Sequence, residues 1–166
     1  MKKPTVYLDT TIISAYWYDG ADVVGLARRV KTRDWWESES PQFALWVSNV
    51  DENELAAGEF RRQIDCLRFV RRLRYLPITQ ESRDLAAAFI ESAVVPPNKP
   101  ADALQVALST TNEIDYLLSW NYAHLANPDV QKRLEAICEK LAMRAPALVS
   151  PETIPRATLG QVIRRK

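Results

Sequence analysis

Three acids in this chain sit where a carboxylate has more to do than face water: Asp9, Glu54 and Asp102. Asp9 directly follows the apolar run Thr5-Val6-Tyr7-Leu8, at what would be the C-terminal end of a buried strand. Glu54 lies on a helix opened by Ser48, at helical spacing from Val50 and Ala57, which puts it near the inward stripe. Asp102 falls in the first turn of a helix that starts behind Pro100. Each acid also has a purely structural reading. Asp9 can cap the short helix after it. Glu54 can lay its stem on the core and keep its head in water. Asp102 can be there because an acid in a first turn is stabilised by the helix dipole. Gathered at one place, however, three carboxylates repel one another and resist ionising. A divalent cation relieves that repulsion, and an oxygen-only donor set suits Mg²⁺ or Mn²⁺.

Little else in the chain is reactive. His124 is the single histidine, which excludes a two-histidine acid/base mechanism. Added to Cys66 and Cys138, it also makes a poor set for a four-ligand zinc site. Both cysteines sit in helical patterns among apolar residues and read as buried thiols. His124 reads as a structural or loop contact, with a general-base role left open. The net charge is +1, so attraction for a polyanion has to come from a local patch. Arg61, Arg62, Arg68, Arg71, Arg72 and Arg74 crowd one predicted helix. They read as phosphate contacts, as a solvated face, or as a surface for an acidic protein partner. Trp120 is the tryptophan considered for stacking on a base.

The elements that must position these residues follow from periodicity. Strands are expected at Thr5–Leu8, Phe43–Val47 and Tyr116–Ser119, with short extended pieces at 75–78 and 147–149. Helices are expected at about 12–18, 22–39, 48–58, 59–74, 79–94, 101–111 and from Asn127 onward. On the helix over 22–39, Val23, Leu26, Val30 and Trp35 fall near one stripe. On that over 59–74, Phe60, Ile64, Leu67, Val70 and Leu73 do. On the last, Val130, Leu134, Ile137 and Leu141 face inward. Ser48 with Asp51 three residues on matches a capping box. Strands that are uniformly apolar and alternate with helices argue a parallel sheet covered on both faces, an α/β three-layer α/β/α domain. Asp9 and Asn121 would then meet in the crevice at the carboxyl ends of the strands. With 47% hydrophobic and 26% charged residues, 166 residues suit one globular domain, over 1–150. Residues 151–166 read as a peripheral tail ending in Arg164-Arg165-Lys166. No apolar run is long enough to span a bilayer and no signal peptide is evident, so a cytoplasmic location is expected.

The segment Val6-Tyr7-Leu8-Asp9-Thr10-Thr11-Ile12-Ile13-Ser14-Ala15 resembles the opening of PIN-domain proteins, particularly VapC-like toxins. Val47-Ser48-Asn49-Val50 leading to Glu54-Leu55-Ala56-Ala57-Gly58 is similar to their second acidic segment. Pro100-Ala101-Asp102-Ala103-Leu104-Gln105-Val106-Ala107 is similar to their third. Asp115 to Asn121, with His124 close behind, resembles the last. The ordered set spans most of the chain. The resemblance implies a PIN-like domain and a Mg²⁺- or Mn²⁺-dependent ribonuclease, with Asp9, Glu54 and Asp102 as acidic metal-binding residues. It also implies an antitoxin partner and a homodimer. Where many such domains carry a fourth acid, this chain has Asn121, which still can hold a metal-bound water but lowers the negative charge. Thr10 and Ser119 are expected to hydrogen-bond a phosphate or a metal-bound water, and Arg61 and Arg68 to hold RNA phosphates. Two other readings compete. One is a PIN-like RNA- or protein-binding module in which Asn121 marks a weakened site. The other is a haloacid-dehalogenase-type phosphatase, disfavoured because its second Asp would stand where Thr11 does.

Overall fold

A computed structural model describes residues 2–156. A five-stranded parallel sheet runs through it in the order β3-β2-β1-β4-β5. The strands are β1 (Thr5–Leu8), β2 (Ala44–Ser48), β3 (Arg74–Leu76), β4 (Tyr116–Leu118) and β5 (Ala147–Val149). The helices are α1 (Thr10–Tyr16), α2 (Val23–Ser38), α3 (Asn49–Ala57), α4 (Gln63–Val70), α5 (Gln80–Glu91), α6 (Pro100–Thr111) and α7 (Pro128–Lys140).

The alternation along β1 shows how the layers form. Val6 and Leu8 join Ile12, Trp35, Val47, Leu55, Cys66 and Leu118 in the core beneath α1, α2 and α4. Tyr7 points the other way, into a core with Leu85, Phe89, Val106, Leu117 and Leu134 from α5, α6, β4 and α7. Both sheet faces are therefore buried, which is why the strands are apolar without alternation. The chain builds outward from β1 to β2 and β3, then returns to the other side of β1 for β4 and β5. The strand order thus reverses between β1 and β4, the place where a parallel sheet opens a crevice at its carboxyl edge.

Several expected stripes are corrected. On α2, Val23 and Val30 are exposed at 79% and 53%, and Thr32 and Trp35 form the buried face. The arginine-rich segment is not one helix over 59–74. It is α4, whose buried residues are Cys66 and Val70, followed by a turn and then β3 from Arg74. Phe60 and Ile64 are exposed instead of packed. On the last helix Leu141 falls beyond the end of α7 as its C-cap and is exposed, because the helix has already terminated at Lys140. Ile154 packs into the core under β1, so the start of the expected peripheral tail is anchored. The basic end Arg164-Arg165-Lys166 lies outside the described residues. Among the described residues, no helix is long and apolar enough to cross a membrane. Cys66 and Cys138 are buried free thiols, as expected.

Candidate active site

Asp9 takes the capping position read for it and lies buried at the crevice. It is the N-cap of α1 and is 2% exposed. Its Oδ1 accepts from the Thr11 backbone N–H at 2.8 Å and from the Thr11 hydroxyl. Its Oδ2 accepts from the Ser119 hydroxyl at 2.5 Å. Burial pushes its pKa up to about 6, the hydrogen bonds from Ser119 and Thr11 oppose that rise, and the charge of Asp102 adds to it. Three donors leave lone-pair positions open on a carboxylate. Asp9 is therefore held in place and still able to accept a cation.

Asp102 stands in the first turn of α6, partly buried, with a raised pKa. Burial raises it, while His124, Lys99 and the Asn121 hydrogen bond oppose the shift. Asn121, just past β4, donates Nδ2–H to Asp102 Oδ2 at 3.2 Å and accepts the His124 N–H on Oδ1 at 3.1 Å. An acid at position 121 would repel Asp102 where the amide donates to it.

Glu54 departs from its expected place. It is exposed along most of its length, as is Ala57, so it does not lie on the inward stripe of α3. That stripe is formed by Val50, Asp51 and Leu55. The Glu54 carboxylate still bends to the crevice: Oε1 accepts from Thr10 Oγ1 at 3.3 Å and from Gln105 Nε2 at 3.2 Å. Its pKa is raised by burial of that end and by Asp102, against the pull of Thr10 and Lys99.

The acid that sequence reasoning placed only in a capping box is Asp51, and it is wholly buried. The box is present: Asp51 Oδ2 accepts from the Ser48 N–H at 2.9 Å. The same oxygen accepts from Tyr7 Oη at 2.5 Å, and Oδ1 accepts from Gln105 Nε2 at 2.9 Å. Burial drives its pKa to about 7; Tyr7 and Ser48 pull it down, while Asp9 and Glu54 push it up. Two signals in the sequence pointed here. Asp51 and Leu55 are one helical turn apart on a common face, and a tyrosine inside the buried strand Val6-Tyr7-Leu8 needs a partner for its hydroxyl. Gln105 Nε2 bridges Asp51 and Glu54, so the α6 segment contributes an amide as well as an acid.

Ser119 is fully buried, with its hydroxyl committed to Asp9 and to the Asn121 N–H at 2.9 Å, so it positions those two residues. Thr10 sits between Asp51 and Glu54. Trp120 is buried, with its indole N–H donating to Thr32 at 2.8 Å, which makes it a core residue and not a stacking platform. The arginines are dispersed. Arg61 pairs with Asp19 at 3.4 Å, Arg62 with Asp65 at 2.5 Å and Arg71 with Glu52 at 2.6 Å. Arg62 also lies over Trp17, and Arg74 over Trp46. Arg68 is exposed on α4.

Asp9, Asp51, Glu54 and Asp102 thus act on one another's charge, and none of them is in an ion pair among the described residues. No three His, Cys, Asp or Glu side chains among the described residues close tightly enough to enclose a metal ion by direct bonds. The donor chemistry, hard oxygens with excess negative charge, fits a Mg²⁺-like ion that keeps much of its water. Gln105 Oε1, buried and without a hydrogen-bond partner, marks a further unmet polar demand at this site.

No protein-family model matches this chain. No curated protein matches it either. Solved structures do. VapC20 of Mycobacterium tuberculosis, described as a toxin that cleaves the sarcin-ricin loop, matches with a TM-score of 0.51 and 19% identity over 76% of this chain and 93% of its own. FitAcB of Neisseria gonorrhoeae matches with a TM-score of 0.57 and 12% identity over 90% and 99%. VapBC2 of Rickettsia felis, solved bound to a DNA fragment from its promoter, matches with a TM-score of 0.54 and 11% identity over 88% and 96%. At these identities the likeness establishes the fold.

Proposed function

We propose that this chain, which has the VapC-like PIN-domain fold, is a Mg²⁺- or Mn²⁺-dependent endoribonuclease and the toxin of a toxin–antitoxin pair. The observation that carries the reading is the group of mutually repelling carboxylates at the strand-order reversal, none of them in an ion pair among the described residues. The likeness to VapC20, a toxin that cleaves the sarcin-ricin loop, supports the same reading.

In this account Asp9, Asp102 and Glu54 would hold the metal, directly or through water. A bound divalent ion supplies Lewis-acid polarisation of the phosphate and acidifies a water molecule. The protein's own part is orientation and proton handling. Ser119 and Thr11 keep Asp9 aimed, and Asn121 keeps Asp102 aimed. Glu54 is held on Oε1 by Thr10 and Gln105, which leaves Oε2 to accept the proton of the attacking water. That water attacks phosphorus, the P–O3′ bond breaks, and the leaving O3′ takes a proton from solvent, so the products are a 5′-phosphate and a 3′-hydroxyl.

An antitoxin, and a second copy of the chain in a homodimer, are the proposed protein partners. The exposed Phe60 and Ile64 beside Arg61 and Arg68 offer an apolar, basic surface that suits an acidic amphipathic segment. The test is cleavage of single-stranded RNA by the purified chain. RNA should be cut with Mn²⁺ or Mg²⁺, left intact with EDTA, and cut at least about a hundredfold more slowly after Asp9→Asn. A folded protein that cuts no RNA with either metal would refute the proposal.

A further inference from the structure

Beside the acidic site lies a notch of about 290 Å³ that no part of the reading above uses. Its apolar side is Val94, Val95 and Pro96, and its other wall is Ala123, His124 and Arg133. Both walls are built before any ligand arrives. Val94 and Val95 hang their N–H groups on Phe89 O at 2.9 and 3.4 Å, and Lys99 N–H closes the proline loop on Pro96 O at 3.0 Å. Across the notch, Leu125 and Ala126 both donate to Asn121 O at 3.0 and 2.9 Å. Three prolines, Pro96, Pro97 and Pro100, stiffen the first wall.

The notch is joined to the acids by His124, which lines it, and by Lys99, which closes the loop that carries its apolar wall. His124 lines the notch and also acts on the charge of Asp102. Lys99, at the end of the proline loop, acts on both Glu54 and Asp102. Among the described residues, Lys99, His124 and Arg133 are in no ion pair. Two cations, Lys99 and Arg133, and the His124 imidazole therefore lead from the acids to a recess of about 290 Å³. That combination matches one nucleotide, with the base against Pro96, Pro97 and Ala123, which stand in front of the buried Val94 and Val95, and its phosphate on the polar side chains.

We infer that this notch receives the single-stranded RNA nucleotide that flanks the scissile phosphate, with Arg133 and His124 on its phosphate and Ala123 against its base. The inference rests on the ribonuclease reading and adds a subsite to it.

The test uses a 5′-fluorescein single-stranded RNA twelve residues long. Its affinity is read by fluorescence anisotropy in Ca²⁺ over a range of salt, and RNA integrity is checked on a gel. Ala123→Phe fills the recess and should weaken binding about tenfold with an unchanged salt slope. Arg133→Ala should weaken it several-fold and reduce the slope of log affinity against log salt by about 0.7, the share of one lost phosphate contact on a single strand. Lys132→Ala removes the same charge from the next position on α7 and should leave affinity within about twofold. If both notch variants bind as the wild type does while the wild type still cuts RNA in Mn²⁺, the subsite is wrong and the ribonuclease reading stands. If Lys132→Ala weakens binding as much as Arg133→Ala, charge alone is responsible and the subsite is again wrong. If the wild type neither binds nor cuts RNA, both fall together.

Discussion

Asn121 Nδ2 donates to Asp102 Oδ2 at 3.2 Å, so the amide supports an acid where a fourth acid would oppose it. Asn121→Asp replaces a donor with a like charge beside a carboxyl whose pKa is already raised. In EDTA at pH 8 the variant should be less stable than wild type by about 1 kcal/mol, measured by urea denaturation. Mn²⁺ should restore more stability to it than to wild type. Equal stability of the two proteins in EDTA would mean that the 121–102 contact carries no weight.

Asp9 and Asp51 give the metal-free protein a defined pH dependence. Burial holds their pKa values at about 6 and about 7, above the ordinary carboxylate value near 4 that they regain on unfolding. Their protonated forms are therefore favoured by folding. The stability this confers is fully present below about pH 4 and is lost as pH rises through 6 and 7. In EDTA, Tm should fall by several degrees, about 5 °C, between pH 5 and pH 8. Asp51→Asn should flatten that fall. A Tm that rises steadily over the same interval would contradict the assignment.

Tyr7 secures Asp51 from beneath the sheet, with its hydroxyl 2.5 Å from the carboxylate and 2.7 Å from Ser48 Oγ. Tyr7→Phe keeps the ring in the core and leaves Asp51 short of a donor. It should cost about 1–3 kcal/mol at neutral pH. In the Asp51→Asn background the same substitution should cost clearly less, a coupling read from a double-mutant cycle. Additive effects would show that Tyr7 contributes only packing.

Most of the fold was legible because it depends on strong periodic signals. The apolar runs at β1, β2 and β4, the caps at Ser48, Thr79 and Asn127, and Pro100 at the start of α6 all act locally. In the α4 region periodicity alone cannot show that Phe60 precedes the helix and stays exposed. Asp9 and Asp102 were legible from their places at a strand end and a helix start. Asp51 was not, because its capping bond to Ser48 already accounts for it locally, and its bonds to Tyr7 and Gln105 depend on tertiary packing. Glu54 lies off the inward stripe of α3, yet its long side chain brings the carboxylate back to Thr10.

Cys66 and Cys138 test the packing independently of the site. Both are buried, and burial pushes each thiol up to about 11. In native buffer at pH 8 neither should react with a thiol reagent on the timescale of a free cysteine, and both should react at once in urea. Fast native labelling of either would contradict the core described.

The most direct measurement of the central claim is a calorimetric titration of the metal-free protein with Mn²⁺ at pH 7.5, compared with Asp9→Asn and Asp102→Asn. The account predicts saturable binding by the wild type, with proton release that grows when the titration is repeated at pH 6, where Asp9 is half protonated. Each variant should bind at least about tenfold more weakly. Binding of equal strength in all three proteins, or no binding by the folded wild type, would contradict it.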